Sequence, residues 1–553
     1  MRLIREYIND LKQEFKGYSR GAFAKDVMAG LTVTAVALPL ALAFGVSSGA
    51  DAAAGLITAI IGGFVMSLLS GGYYQISGPT GAMAAILISV VSQYGLQGVF
   101  LATLIAGVIL VLAGVFRLGR LASFIPMPVI AGFTSGIAVI IALGQIDNFF
   151  GTVSSGENAI AKLFSYGQLG FSPDWVTVLI GLASVALIAV YPKKWSGIVP
   201  GSLVVIILAT AVSMIFHLPV KTVGEIPQTL MPANRLSFSG LSWQSITGVL
   251  GPAVSIALLG MIESLMCGAS AGRMTGVRLR SDRELISQGV GNMLVPFFGG
   301  IPATAAIART SVAIKSGAKT RVAGMVHSLG LLASMLLLAP VMSNIPLAAL
   351  AGVLMVTAWR MNDWAAIKHI FRGRFKRSIV EFSVTMVATV AFDLVVAIAV
   401  GVAISLVFLV ARLSKLYVAY DRVDMDRLGT DDPAIRERHQ STLVVYINGP
   451  VIFANTQKIE EIDTKLDEAR TVLLSMRGVS ELDISGAQIL YDMIAAWKAR
   501  GIDVMFSGVP EAAKRMMDRQ GITKLVGENS FYWSAARALC DLRPFPEDQA
   551  KGA

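Results

Sequence analysis

Charge is scarce in this 553-residue chain. Asp, Glu, Lys and Arg make up 15% of it and hydrophobic residues 54%, where ordinary soluble domains carry about 25% charge. A water-soluble globule is thereby excluded. Cysteine is nearly absent: Cys267 and Cys540 lie in different regions, which rules out a disulfide framework or a thiolate metal cluster. Four scattered histidines exclude a His-based metal site. No nucleophile–base pair stands at membrane depth, as an intramembrane enzyme would need, and nothing calls for a cofactor. Acids are few in the apolar part, and the net charge is +10. The basic residues fall in short loops between apolar runs, so they mark membrane topology rather than a nucleic-acid surface. The N-terminus lacks a short apolar core followed by a small-residue cleavage site. Residues 1–25 mix Arg2, Arg5, Lys12, Lys16, Arg20 and Lys25 with acids and aromatics, and are expected to lie on the cytoplasmic membrane surface as an amphipathic lead-in.

What is present is a series of apolar runs over residues 26–415. A spanning helix needs about 20 such residues. Runs fall near 27–47, 52–70, 77–92, 97–115, 125–146, 174–191, 197–216, 244–268, 284–298, 303–316, 321–340, 344–359, 378–394 and 395–412. With the N-terminus inside, the cytoplasmic loops hold Arg117 and Arg120; Lys193 and Lys194; Arg273, Arg278, Arg280 and Arg283; Lys315, Lys319 and Arg321; and the run from Arg360 to Arg377. The opposite loops carry Lys162, Lys221 and Arg235 alone. This asymmetry predicts about fourteen spans, multi-pass, with both termini cytoplasmic.

Two of the runs open on breaks that echo each other: Ser77-Gly78-Pro79-Thr80-Gly81 and Gly299-Gly300-Ile301-Pro302-Ala303-Thr304. Unwound backbone at membrane depth survives only where protein buries it or a cavity adjoins it. A matching pair in two halves is the mark of an inverted-repeat transporter whose half-helix N-termini face a midplane site. Such ends offer unpaired N–H groups and a positive dipole. They predict a small-anion pocket built from Gly78, Thr80, Thr304, Ala306, Ile307 and Ala308, with Arg309 supplying a positive field. Pro-kinked packing helices are the plain alternative for these segments, as pairing with Glu263 is for Arg309. Glu263 lies inside an apolar run, where a carboxylate costs roughly 3 kcal/mol on insertion scales. It is the candidate coupling group, able to take up and release a proton. His327 reads as a packing residue, Gln288 and Asn292 as interhelical hydrogen bonding, and Cys267 as apolar filler.

Residues 416–440 are charged and turn-rich and read as a linker; 441–545 alternate strand and helix like a small α/β domain, followed by a tail over 546–553. Ser485, in Asp483-Ile484-Ser485-Gly486, is expected at a helix N-terminus, either as a plain cap or as a site where phosphate would be stabilised.

Ser77-Gly78-Pro79-Thr80-Gly81, Glu263-Ser264-Leu265, Gln288-Gly289-Val290-Gly291-Asn292, Phe298-Gly299-Gly300 and Ala308-Arg309-Thr310 together resemble the SulP family of anion transporters (solute carrier family 26), and the C-terminal part resembles a STAS domain. The resemblance implies a polytopic α-helical membrane protein of 14 spans as 7+7 inverted repeats, divided into core and gate domains. It implies an anion between the third and tenth spans under Phe44, an elevator-like movement, and homodimers in a bacterial inner membrane with possible regulators at the STAS domain. Glu263 with Cys267 one turn later is similar to the bacterial C4-dicarboxylate branch, in which a proton rather than sodium is the coupling ion. The reading is proton-coupled uptake of a dicarboxylate or similar oxyanion. Sulfate or bicarbonate transport, anion exchange, nucleobase transport on the same fold, and a channel- or motor-like role are the alternatives.

Overall fold

The computed structural model describes residues 2–120, 126–155, 159–192, 200–239, 242–392, 394–423, 433, 435, 439–466 and 469–540. Two compact units divide the chain, Met1–Ile404 and Ser405–Ala553.

The first unit is helical, and each of the fourteen apolar runs contains a helix among the described residues. An N-terminal helix α1 (Arg2–Glu14) precedes α2 (Arg20–Ser47) and α3 (Ala52–Leu69). Next come α4 (Gly81–Val115), α5 (Met127–Gly144), α6 (Trp175–Val190) and α7 (Gly201–Ile215). The second half comprises α8 (Leu250–Thr275), α9 (Ser281–Leu294), α10 (Ile307–Lys315), α11 (Val322–Met342), α12 (Leu347–Met361), α13 (Lys376–Ala391) and α14 (Leu394–Leu413). The third and fourth runs are the two arms of α4, parted at Gly95, whose φ of +66° takes the chain out of the helix. Only a residue without Cβ adopts that conformation readily. Seven helices are long and apolar enough to cross a membrane by length and composition, and α6, α7 and α12 are shorter apolar helices. Lys193 and Lys194 lie outside the described residues.

Packing sorts these helices into two groups. α2, α3, α4, α8, α9, α10 and α11 pack on one another, whereas α5, α6, α7, α12 and α13 pack among themselves. Each group draws matching members from both halves, as a 7+7 repeat requires. Small residues carry the closest crossings: a Cβ on Gly107 of α4 would lie 2.7 Å from the Gly289 carbonyl oxygen of α9. Without a hydrophobic drive between helices in lipid, such close approach is what holds them together.

The N-terminal lead-in is docked on protein along one face of α1, with Asp10 and Glu14 buried against Arg283 and Arg321. Tyr7 sits under both guanidiniums, at 5.3 and 5.6 Å, and donates to the Leu68 carbonyl at 2.7 Å. An acid on the amphipathic face, not only apolar residues, selects its partner.

The second unit holds a five-stranded sheet. Its strands are β3 (Tyr417–Arg422), β4 (Thr442–Asn448), β5 (Thr471–Gly478), β6 (Asp503–Ser507) and β7 (Phe531–Tyr532), in that spatial order. All neighbours are parallel except β3–β4. β3 corrects the linker reading of 416–440: Tyr417 to Arg422 pair with Asn448 to Leu443 of β4. Val418 and Tyr420 are half-buried and the other four residues of β3 exposed, the pattern of an edge strand with one face to solvent. The remainder, 424–432 and part of 433–438, and the tail 546–553 lie outside the described residues. Helix α15 (Ile484–Ala499) covers the sheet with Trp497, whose indole donates to Asp463 at 2.7 Å. That bond, then the Arg500 guanidinium, holds the Asp463 carboxyl below the usual carboxylate range.

Candidate functional site

The two breaks meet. Ser77–Gly78 (β1) and Thr304–Ala305 (β2) form a two-residue antiparallel ladder, Ser77 opposite Ala305 and Gly78 opposite Thr304. The Ala306 N–H extends it to the Ile76 carbonyl at 2.9 Å, and the Ile76 N–H reaches Thr310 Oγ1 at 3.0 Å. Backbone unwound at this depth is thus paired with itself across the two halves, which removes most of the cost of its polar groups.

Directly beyond the ladder, α4 and α10 begin. Thr80 caps α4, its Oγ1 accepting from the Met83 N–H at 3.3 Å. α10 starts after Ala306 with no side-chain cap. The N–H groups of Gly81 and Ala82 on one side, and of Ile307, Ala308 and Arg309 on the other, have no partner among the described residues. Phe44 of α2 and Ile141 of α5 close over Gly81: a Cβ there would stand 3.1 Å from Phe44 Cε1 and 2.4 Å from Ile141 Cδ1. The site therefore borders both helix groups.

Arg309 is the buried cation of this site. It is 1% exposed, its Nη2 donates to the Pro79 carbonyl, and Nη1 has no partner among the described residues. It lies over Gly78, where a Cβ would fall 2.3 Å from Nη1. Glycine at 78 is needed for that close approach. Arg309 makes no ion pair with Glu263. Instead, Glu263, partly exposed, accepts from Thr80 Oγ1 at 3.0 Å.

Two expectations change. Thr304 is fully buried and bonded to Ser264 Oγ at 2.8 Å and to the Gly260 carbonyl at 3.3 Å, so its hydroxyl ties β2 to α8. The Ala306 N–H is taken by the ladder. Cys267 is buried too, its thiol directed to Thr310 Oγ1 at 3.2 Å. Gln288 and Asn292 do bond between segments: Gln288 Nε2 reaches Ser77 Oγ at 2.8 Å, and Asn292 spans Ala303 N and O at 2.8 and 2.9 Å. His327 is fully buried beside Thr34.

Among the buried carboxylates that sequence reasoning missed are Glu284 and Asp26. Glu284 accepts from Ser70 Oγ, the Gly71 N–H and Gln288, at 2.8, 2.8 and 2.7 Å. Asp26 accepts from Thr320 and from the Lys319 backbone. An acid at the edge of an apolar run was the available signal for both. In the second unit Ser485 is exposed at the second position of α15, and it is not the cap. Asp483 is, accepting from the Gly486 N–H at 2.7 Å and the Phe453 N–H at 2.9 Å.

Comparison with known proteins follows the same division. The sulfate permease family profile matches residues 23–388 and the STAS domain profile residues 434–537. The protein YvdB of Bacillus subtilis, provisionally named a sulfate transporter, is 36% identical over 94% of this chain and 97% of its own. The bicarbonate transporter BicA of Picosynechococcus is 30% identical over 93% and 94%. The transmembrane domain of a cyanobacterial BicA superposes with a TM-score of 0.63, at 30% identity over 71% of this chain and 98% of that one. Murine Slc26a9, described as an anion transporter in the inward-facing state, superposes at 0.78 with 19% identity, covering 93% and 90%.

Proposed function

Because this chain belongs to the sulfate permease (SulP) family of anion transporters and carries a STAS domain, we propose that it takes up a small oxyanion together with a proton, binding the anion at the facing N-termini of α4 and α10. The observation that carries this reading is the Thr80–Glu263 hydrogen bond beside unpaired helix-end N–H groups and Arg309 Nη1.

The geometry supplies a coupling step. With Glu263 ionised, the Thr80 proton points at the carboxylate and a negative charge stands next to the site. With Glu263 protonated, its O–H donates to Thr80 Oγ1, and the Thr80 proton is released toward the anion. Protonation thus removes a repelling charge and adds a donor. Cys267, one turn on, offers a thiol already engaged with Thr310, a poor ligand for sodium, which takes oxygen donors. That observation favours the proton as coupling ion. The relatives' names point to sulfate or bicarbonate; Glu263 with Cys267 supports a dicarboxylate as second reading. Transport would follow movement of the α2–α4 and α8–α11 group past the other, in a homodimer in a bacterial inner membrane with both termini cytoplasmic. Ser485 is a regulatory candidate by its exposure at a helix start.

The test is uptake into proteoliposomes of labelled sulfate, bicarbonate and succinate, with and without an inward proton gradient, for the wild type and Glu263→Gln. Gradient-driven uptake of one of them by the wild type, lost in the variant, supports the reading. Uptake that keeps its pH dependence in Glu263→Gln overturns the proton role.

A further inference from the structure

A second polar cluster, away from the anion site, joins the α1–α2 junction to the loop after α10. Its acids are all engaged by protein donors. Asp10 pairs with Arg280 at 2.5 Å and with Arg283. Glu14 accepts from the Arg321 backbone, Nε and Nη2 at 2.8, 2.8 and 2.6 Å. Asp26 accepts from the Lys319 and Thr320 N–H groups at 2.5 and 3.1 Å, and from the Thr320 and Tyr18 hydroxyls, each at 2.6 Å.

Within this cluster lies a cavity of about 400 Å³ whose lining includes Glu14, Lys16, Ser19, Lys25, Lys319 and Thr320. The three ammonium groups have no hydrogen-bond or ion-pair partner among the described residues, although Glu14 and Asp26 are near. Those carboxylates are already matched, so the three exposed lysines leave this concave surface with an excess of positive charge. A concave surface with a net excess of one sign focuses its field and collects counter-ions. Lysine is a point-charge partner for phosphate, and Ser19 Oγ, which accepts from the Ala22 N–H at 3.2 Å, keeps its own proton to donate. Burial and the Asp26 bond push the Tyr18 hydroxyl up to about 12, so Tyr18 itself adds no negative charge near neutral pH.

We propose that this cavity binds a phosphate group, supplied as free phosphate or as the headgroup of an anionic lipid, and that the bound group ties the α1–α2 junction to Lys319. Since Lys319 follows α10, which bears Arg309, occupancy would steady the helix that carries the anion-site cation. The site stands independently of the coupling reading above.

The experiment uses purified full-length protein, wild type and Lys16→Gln/Lys25→Gln/Lys319→Gln, in two arms. In detergent, inorganic phosphate is compared with sodium chloride at equal ionic strength by thermal shift. In nanodiscs of phosphatidylcholine with or without phosphatidylglycerol, native mass spectrometry counts retained anionic lipid. Phosphate is expected to raise the wild-type midpoint by about 3 °C or more, with the rise absent in the triple variant and kept in Arg309→Ala, which separates this cavity from the transport site. A response in the phosphate arm alone assigns free phosphate, and one in the lipid arm alone assigns a headgroup. Identical behaviour of wild type and triple variant in both arms overturns the proposal. The lysines are exposed, so the variant should match the wild type without ligand; Lys25→Gln/Lys319→Gln serves if it does not fold.

Discussion

At the scale of single residues, two contacts decide the proposed anion site: Gly78 beneath Arg309, and Thr80 against Glu263. A methyl group at Gly78 would meet Arg309 Nη1 at 2.3 Å, and the flexible guanidinium would yield before the backbone does. Gly78→Ala should therefore fold, with a melting midpoint near the wild type, yet lose uptake by about 10- to 100-fold, the equivalent of one charge-assisted hydrogen bond of about 1.5–3 kcal/mol. Unchanged uptake would mean that Arg309 does not act on the anion. Thr80→Val keeps the shape of the site and removes the hydroxyl. It should flatten the pH dependence of uptake while leaving binding of the anion at low pH weakened rather than abolished; an intact pH profile would remove Thr80 from the coupling step.

Elements raise a different question, which is what holds each one where it is. α1 is a short amphipathic helix, and Arg321 and Glu14 are respectively 2% and 0% exposed at their side chains. Breaking a buried pair leaves a lone buried charge, at a cost of about 3–5 kcal/mol. Glu14→Gln should lower the melting midpoint by several degrees. Asp463→Asn, at a bridge with both side chains about half exposed, should change it far less, since exposed pairs contribute roughly 0–1 kcal/mol. Equal effects would place α1 outside the folded body. Asp463 has its own pH signature. Its folded carboxyl is depressed by the Trp497 bond and Arg500. Its stabilisation is thus present above the unfolded carboxylate value of about 3.9 and lost as pH falls through the folded one. Acid titration of the second unit by circular dichroism should show that loss in the wild type and not in Asp463→Asn. The starts of α4 and α10 were legible as elements, because Pro79 and Pro302 with their glycines interrupt apolar runs in matching places. Where their N–H groups go was not: the Ala306 N–H and the Thr304 hydroxyl find partners at Ile76 and Ser264, 230 and 40 residues distant respectively.

For the whole molecule, the test is movement of one helix group past the other. Gly81 and Ile141 face each other from α4 and α5. With Cys267 and Cys540 replaced, Gly81→Cys/Ile141→Cys should cross-link on oxidation and stop uptake, and a reductant should restore it. Uptake that continues through the cross-link would exclude movement at that boundary. The sequence by itself determined that the chain lies in a membrane, how its helices are counted, and where two of them are cut short, because apolar runs, loop charges and Gly/Pro breaks act locally. It marked Glu263 and Arg309 as candidate site residues for the same reason: a charge within an apolar run must face protein. Tertiary structure alone decided that the two breaks pair as a ladder, that Arg309 bonds Pro79 instead of Glu263, that α1 docks through its acids, and that Tyr417–Arg422 is an edge strand. Those outcomes depend on which donors meet which acceptors across a fold, and no local pattern records the partner.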